Sequence, residues 1–226
     1  MRSWERWAAA TGVAFVLASA VAFLIEPDPP SADDGSEFVL NFFSENDSDI
    51  LWQAFFFGLG GLFLLWFGGT FAVALRRAQG DIPDRVPAIV AAAAAASAAM
   101  FLIAVSAIGA IAAGAEGMDQ GVAYGLYQFG NLAFVLTDFP AATFAFAGSL
   151  GVVRSGLMPA SVGWVGGVVG LLLIVNAGGR LLADSADFAP GGTANTIAFV
   201  LFLFWVLVTS IFLVQRVPVG RRVAQG

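Results

Sequence analysis

Six long apolar stretches, separated by short polar breaks, dominate this chain of 226 residues. A bilayer core about 30 Å thick is crossed by about 20 consecutive apolar residues in a helix. Each stretch is close to that length or longer, and Pro, Gly and charged residues interrupt the chain between them. We therefore predict an all-α, polytopic membrane helical bundle that forms a single transmembrane domain over 1–226. Spans 1 to 6 are predicted at 7–25, 51–75, 87–114, 122–153, 160–183 and 196–214.

The composition supports a lipid environment and excludes several kinds of chemistry. Only 12% of the residues are charged, against roughly a quarter in an average soluble domain. The chain has no His and no Cys, and all ten of its cationic residues are Arg. These features exclude ordinary zinc sites, histidine-ligated haem, thiol nucleophiles and lysine Schiff bases. We predict no metal, no cofactor and no catalytic residue, although an intramembrane enzyme that acts on lipid stays open.

The arginines are distributed unevenly between the breaks. If six spans alternate and the N-terminus is cytoplasmic, nine of the ten arginines fall on the inner side. The three outer segments, 26–50, 115–121 and 184–195, hold no arginine but twelve of the sixteen acids. Arginine-rich loops are retained on the cytoplasmic side. We therefore predict a multi-pass protein of the cell membrane with both termini in the cytoplasm. The net charge of −6 disfavours nucleic acid as a partner.

Span 1 has one alternative interpretation. Arg2 and Arg6 precede its apolar run, and Ala18-Ser-Ala20 resembles a signal-peptidase site. Because the apolar run continues to Ile25, a retained membrane anchor is favoured over a cleaved signal peptide.

Small residues predict which spans pack closely. Lipid provides little hydrophobic force between helices, so small side chains that allow close contact mark packed faces. Span 3 carries an alanine-rich run at 91–99, whereas span 6 is bulky all round. We predict spans 3, 4 and 5 at the centre and span 6 facing lipid. Span 5 carries small-xxx-small pairs at Gly163/Gly167 and Gly166/Gly170. This glycine face could instead hold a homodimer.

The outer loop 26–50 contains a short apolar stretch at 38–43. A brief helix in the membrane interface would shelter those side chains. The alternative is a segment that folds over the outer mouth of the bundle. In either case the loop is a candidate lid.

Asp138 is the one acid within a predicted span, and it lies 16 residues before Arg154, about 24 Å along a helix. A carboxyl group in hydrocarbon costs a few kcal/mol, so it should face the bundle interior and have a partner. Pro140 predicts a kink beside it. The same stripe of span 4 carries Tyr124, Gln128 and Asn131.

Span 5 provides the predicted partners of this acid. Asn176 lies 16 residues after Ala160 and therefore at the depth of Asp138, and Arg180 follows one turn later on the same face. The hypothesis is a polar pocket that opens outward beneath loop 26–50. Its predicted residues are Asp138, Asn131, Gln128, Tyr124, Asn176 and Arg180. Alternatively, Arg180 extends to the outer surface and Asp138 is a structural hydrogen-bond partner.

Such a pocket predicts a non-enzymatic membrane subunit, or a protein that binds a lipid or another small molecule. Its expected partners are the bilayer, that ligand, and a second copy or a membrane complex. The alternative function is an ion- or proton-coupled secondary transporter or channel that uses Asp138 and Arg180. The sequence shows no inverted repeat, which lowers the weight of that alternative.

The stretch from Arg154 to Trp164, RSGLMPASVGW, resembles a junction in a known membrane protein family. Arginine, a small polar residue, glycine, two apolar residues, proline and a glycine four positions later occur between the fourth and fifth helices of an uncharacterised bacterial six-helix family, known as a domain of unknown function. The resemblance implies a six-helix integral membrane protein and transfers no functional residue. Physically, Gly156 should end one helix and Pro159 should begin the next.

Overall fold

The computed structural model describes residues 3–25, 29–30, 34–79, 84–183 and 186–216. Its α-helices are α1 (Ser3–Ile25), α2 (Ser36–Glu45), α3 (Asp47–Gln79), α4 (Val86–Gly114), α5 (Gln120–Leu136), α6 (Asp138–Ser155), α7 (Ala160–Ala183) and α8 (Thr193–Arg216). Two short 3-10 turns cover Ala115–Gly117 and Ala186–Phe188. Within these ranges there is no β-strand. The terminal residues Arg2, Arg221 and Arg222, which entered the orientation argument, lie outside the described residues.

Six segments are long and apolar enough to cross a membrane: α1, α3, α4, α5 together with α6, α7 and α8. They correspond in order to predicted spans 1 to 6. The predicted all-α class and the six spans are therefore confirmed. The helices extend beyond some predicted limits, because α3 begins at Asp47 and ends at Gln79.

The helix boundaries follow from local chemistry. Asp119 precedes α5, and its side chain accepts a hydrogen bond from the backbone N–H of Gly121 at 2.9 Å, the usual role of an N-cap residue. Gly156 ends α6 with φ of +61°, in the left-handed region where glycine is favoured. Since α7 begins directly after Pro159, the roles predicted for Gly156 and Pro159 are confirmed.

The spans pack in chain order around a closed ring. Each span contacts the next, from α1 and α3 through α4, α5 and α6 to α7 and α8, and α8 returns to contact α1. The interior is filled by aromatic side chains from different spans, whose ring centroids lie 5.7 to 6.3 Å apart. These are Phe67, Phe71, Phe144 and Trp205. The prediction that spans 3, 4 and 5 form the centre is therefore wrong, since every span contributes one face to a shared core.

The lipid-facing assignment of span 6 is wrong for one face of α8. Trp205 is 1% exposed and Val206 is fully buried, whereas Phe204 is 54% exposed. The indole Nε1 of Trp205 donates a hydrogen bond to the carbonyl oxygen of Val162 in α7 at 3.0 Å. A helix that is bulky on all sides gives no sequence signal for which face is buried.

The glycines of span 5 face neighbouring helices of the same chain. A Cβ added at Gly163 would lie 2.6 Å from Val153 of α6, and one added at Gly166 would lie 2.5 Å from Trp205 of α8. Nothing lies within 4 Å of a Cβ added at Gly167. The packed face therefore includes Gly163 and Gly166 but not Gly167.

The two ends of the bundle differ in charge. At one end, Arg77 of α3 donates to Glu5 of α1 at 2.9 Å, and Arg154 of α6 lies 3.8 Å from Asp84 before α4. We call this the arginine end. The opposite end, which we call the α2 end, carries α2, residues 29–30 and the Ala186–Phe188 turn.

Helix α2 is folded against the bundle. Val39 is fully buried and Phe43 is 2% exposed, and both belong to an apolar cluster with residues of α4 and α5. The ring of Phe43 lies 5.9 Å from that of Tyr127. On the other face, Phe38 is 53% exposed. The apolar stretch is thus a short helix that covers the mouth of the bundle, which combines elements of both sequence alternatives.

Candidate functional site

Asp138 lies at an interruption of span 4. Regular α-helix stops at Leu136 and resumes at Asp138, with Thr137 between them. Pro140 has no N–H and so cannot donate to the carbonyl four residues earlier, which explains the break. The interruption places the carboxyl group of Asp138 at the first position of α6, partly buried within the bundle.

Asn176 of α7 is the hydrogen-bond partner of Asp138. Its Nδ2 donates to Asp138 Oδ2 at 2.7 Å, and Asn176 itself is 2% exposed. Among the described residues, its other polar atom, Oδ1, has no hydrogen-bond partner. The two residues that the helix register placed at one depth are therefore in direct contact.

A small cavity, which we call the Asp138 cavity, lies beside this pair and has a volume of about 40 Å³. Its polar lining comes from three helices, through Ser97 of α4, Asp138 of α6 and Asn195 of α8, and from Thr137 at the break between α5 and α6. The remaining lining is apolar and includes Phe134 and Phe199. The volume is sufficient for one small ion or about one water molecule.

A second cavity, which we call the α2 cavity, lies at the α2 end and has a volume of about 90 Å³. Six phenylalanine rings line it: Phe23, Phe42, Phe43, Phe57, Phe134 and Phe199. Pro29, Pro30 and Gly191 also line it, so loop segments on both sides of the mouth contribute to its cover.

Four polar side chains line the α2 cavity: Gln53, Tyr127, Asn131 and Asn195. The hydroxyl of Tyr127 donates to the carbonyl oxygen of Pro30 at 2.6 Å, which ties the cover to α5. Gln53 is 7% exposed, and its Nε2 has no partner among the described residues. A buried N–H donor without a partner costs free energy, so Gln53 is suited to donate to a bound group.

The two cavities share part of their lining. Phe134, Asn195 and Phe199 belong to both. Two aromatic rings and one amide therefore separate the α2 end from Asp138. The two cavities are therefore neighbours in the bundle, and Asn131 of α5 lines the α2 cavity whereas Asp138 lines the other.

The remaining sequence-predicted residues lie outside these cavities. Tyr124 and Gln128 are partly buried on α5 but line neither one. Arg180 follows Asn176 by one turn on α7, is partly exposed, engages in an interaction of its own and also lines neither cavity. Of the six residues predicted to share one pocket, Asp138 lines the Asp138 cavity and Asn131 lines the α2 cavity, whereas Asn176 contacts Asp138 but lines neither cavity.

Helical period offered a signal for the residues that were missed on span 4. Tyr127 and Phe134 lie eleven and four residues before Asp138, close to whole helical turns, whereas Gln128 lies ten before it. Ser97 gave little signal because it lies within an alanine run, and Gln53 lies near the predicted start of span 2. Their inward orientation depends on how the ring of spans closes.

The described polar side chains that line the two cavities are amides, hydroxyls and one carboxyl group, that of Asp138. Within the part of the chain that the structure describes, no three His, Cys, Asp or Glu residues cluster to hold a metal ion. Comparison with protein-family models, curated proteins and solved structures found no match. The fold and cavities define a class: a polytopic α-helical protein with six segments able to span a membrane and two cavities that share three lining residues.

Proposed function

We propose that the protein is a non-enzymatic integral membrane protein that binds a small neutral molecule in the α2 cavity. The observation that carries this proposal is the combination of an aromatic wall with the buried, unpartnered N–H donor of Gln53. Ligand sites are commonly apolar cavities with a few placed polar groups. A lipid head group or another small molecule would satisfy this description.

The lining restricts the chemistry of the ligand. Among the described lining residues of the α2 cavity, none carries a charge. A charged ligand would lose its hydration without gaining an opposite charge, at a large cost. Gln53, Asn131 and Asn195 contribute amides, which favour a ligand with a hydrogen-bond acceptor such as a carbonyl oxygen. The proposed ligand is therefore neutral, mostly apolar and equipped with at least one acceptor.

Orientation is part of the proposal. We propose that the arginine end faces the cytoplasm and the α2 end faces outward in the cell membrane, with both termini cytoplasmic. The ion pairs of Arg77 with Glu5 and Arg154 with Asp84 gather the basic segments at one end, and the positive-inside rule then selects the cytoplasmic side. The ligand would enter from outside the cell.

The relationship to other proteins is also proposed. The resemblance of 154–163 to the six-helix bacterial family stays a prediction, supported by the helix end at Gly156 and the start of α7 after Pro159. A role as subunit of a membrane complex, or as a homodimer, is compatible with the many exposed apolar side chains of the spans, which lipid would also cover.

Binding can be tested with cyclohexanone, a neutral ring ketone, as the probe. Its dissociation constant for the purified protein is measured by ligand-observed NMR. Gln53→Met keeps the side-chain length but removes the donor, and we expect about fivefold weaker binding, the value of one hydrogen bond. Gln128→Met is the matched control, because Gln128 does not line the cavity. Equal affinities for the wild type and both variants would contradict the proposal.

Coupled transport is the second candidate function, with Asp138 and Arg180 as the predicted charged residues. It is favoured by one observation, the shared lining of the two cavities, which connects the α2 end with an acid inside a span. Intramembrane acids commonly mark ion pathways. Proteoliposomes that take up radioactive sodium or protons, with loss of uptake in Asp138→Asn, would support it. Ligand binding without any uptake would exclude it.

A further inference from the structure

The hydroxyl protons of the Asp138 cavity's lining are already committed to backbone carbonyls, as is common for Ser and Thr in helices. Ser97 donates its hydroxyl to the carbonyl oxygen of Ala93 at 2.8 Å, and Thr137 donates to that of Ala133 at 2.9 Å. Both hydroxyl oxygens therefore keep lone pairs but have no hydrogen left to donate.

The pair formed by Asp138 and Asn176 adds further acceptor oxygens. Asp138 receives one hydrogen bond, from Asn176 Nδ2, and this bond uses only Oδ2. Asn176 Oδ1 is buried without a partner in the described residues. Carboxyl, hydroxyl and amide oxygens thus collect in and beside one enclosed space. Among the described lining residues, the Asn195 amide is the one side chain with hydrogens left to donate, so these acceptor oxygens suit a cation.

We infer that the Asp138 cavity binds a single sodium ion, held by oxygens of Asp138, Ser97 and Thr137, with Asn195 at its entrance. Oxygen ligands of this kind suit hard cations. One carboxylate balances one positive charge, and a volume of about 40 Å³ holds one dehydrated ion of this size. A divalent ion would leave one charge uncompensated inside the bundle, at a high cost.

The two cavities share Phe134, Asn195 and Phe199 in their linings, so the amide of Asn195 lies beside the proposed ion site. An ion in the Asp138 cavity gains the opposite charge of Asp138, which no described lining residue of the α2 cavity offers.

This inference deepens the second candidate function, but binding of sodium does not require transport. If sodium binds without any flux, the site stands and transport fails. Binding of cyclohexanone in the α2 cavity is a separate measurement, because its variant, Gln53→Met, leaves every proposed sodium ligand in place.

The experiment compares the thermal stability of the purified protein in sodium chloride and in choline chloride at equal ionic strength. A ligand that binds only the folded state raises Tm as its concentration exceeds the dissociation constant. At about 100 times that constant we expect Tm to rise by roughly 5 °C in sodium. Binding of radioactive sodium should saturate at about one ion per chain, by the same one-site model.

Two variants and one control identify the site. Asp138→Asn keeps an acceptor for Asn176 but removes the charge, and it should abolish the sodium-dependent shift. Thr137→Val keeps the shape but removes one oxygen, and it should raise the half-saturating sodium concentration about tenfold. Thr143→Val is the matched control, because Thr143 also bonds to the carbonyl four residues earlier but is exposed on α6.

The outcomes are distinct even if Asp138→Asn fails to fold, since Thr137→Val tests the same site without a change of charge. A sodium shift that is weakened by Thr137→Val and unchanged by Thr143→Val supports the inference. Equal Tm values in sodium and choline, or a sodium shift that both threonine variants retain in full, would overturn it. The cavity would then hold water alone.

Discussion

The hydrogen bond between Asn176 and Asp138 joins spans 4 and 5 beside the inner cavity, and a double-mutant cycle measures its value. The perturbations are Asp138→Leu, Asn176→Leu and the double variant. Leucine has the same branching and number of heavy atoms as both side chains, although its methyl groups are larger, so each single change removes the bond and the cycle cancels the packing change that each variant introduces. The cycle then isolates the energy that the two side chains share.

The magnitude follows from the burial of the pair. The Nδ2–Oδ2 distance is 2.7 Å and Asn176 is 2% exposed, so either single variant leaves a buried polar group without its partner. Each should lose about 1–3 kcal/mol of unfolding free energy. The double variant leaves neither group unpartnered and should lose less than the sum. We expect a coupling energy of about 1–1.5 kcal/mol, toward the upper end for membrane proteins.

The assay is reversible unfolding of the purified protein by SDS, followed by the loss of helical circular dichroism. A cycle of Asp138→Leu with Arg180→Gln serves as comparison and tests the predicted pairing of those residues. Because Asn176 is in direct contact with Asp138, its coupling should be the larger of the two. Additive losses for Asp138 and Asn176, within about 0.3 kcal/mol, would refute the argument that this bond connects the two spans.

Two further predictions use neighbouring residues as their own controls. Gly166→Ala should destabilise the protein by about 1–3 kcal/mol in SDS unfolding, because its Cβ would lie 2.5 Å from the side chain of Trp205 in α8. Gly167→Ala has open space and should be neutral or stabilising by up to about 1 kcal/mol; equal losses would contradict the packed face. Tyr127→Phe removes the bond to Pro30 and should lower Tm by about 3 °C in scanning fluorimetry. Tyr124→Phe should not lower it, and the reverse order would contradict the tie between cover and bundle.

The fold could be predicted from the sequence because the bilayer sets the length of its elements. Runs of about 20 apolar residues ended by charged and helix-stopping residues locate six spans, and the structure has six segments of that kind. Asp138 and Asn176 could be placed at one depth by counting residues from Arg154 and Ala160. The depth of a residue in a span depends only on how many residues separate it from the end of its helix, and a single sequence provides that number.

The direction in which each helix faces was harder to predict. In lipid both the inner and the outer face of a span are apolar, so α8 gave no signal that Trp205 is buried and Phe204 exposed. On span 4 the predicted stripe differs from the cavity lining at one position. The polar residue Gln128 was predicted to line the pocket, but its neighbour Tyr127 lines the α2 cavity. Polarity shows that a residue needs a partner, but helical period shows where it points.

Glycine spacing had the same limitation. The pair Gly163 and Gly167 matches the small-xxx-small pattern, yet only Gly163 approaches a neighbouring helix of the chain. The partner of a small-residue face depends on which helices the ring brings together, and α7 lies between α6 and α8. That arrangement is a property of the whole bundle rather than of any one span.

The central claim is that the α2 cavity, lined by aromatic rings and amides, admits small neutral molecules, and two adjacent positions on α5 test it most directly. The chain has no natural cysteine, so Asn131→Cys and Leu132→Cys each introduce a single thiol. Asn131 lines the α2 cavity, whereas Leu132 is 47% exposed on the surface that lipid would cover. A small neutral thiol reagent, methyl methanethiosulfonate, should modify Asn131→Cys and leave Leu132→Cys, which lipid would cover, unmodified. Protection of both thiols, or reaction of Leu132→Cys alone, would contradict the account.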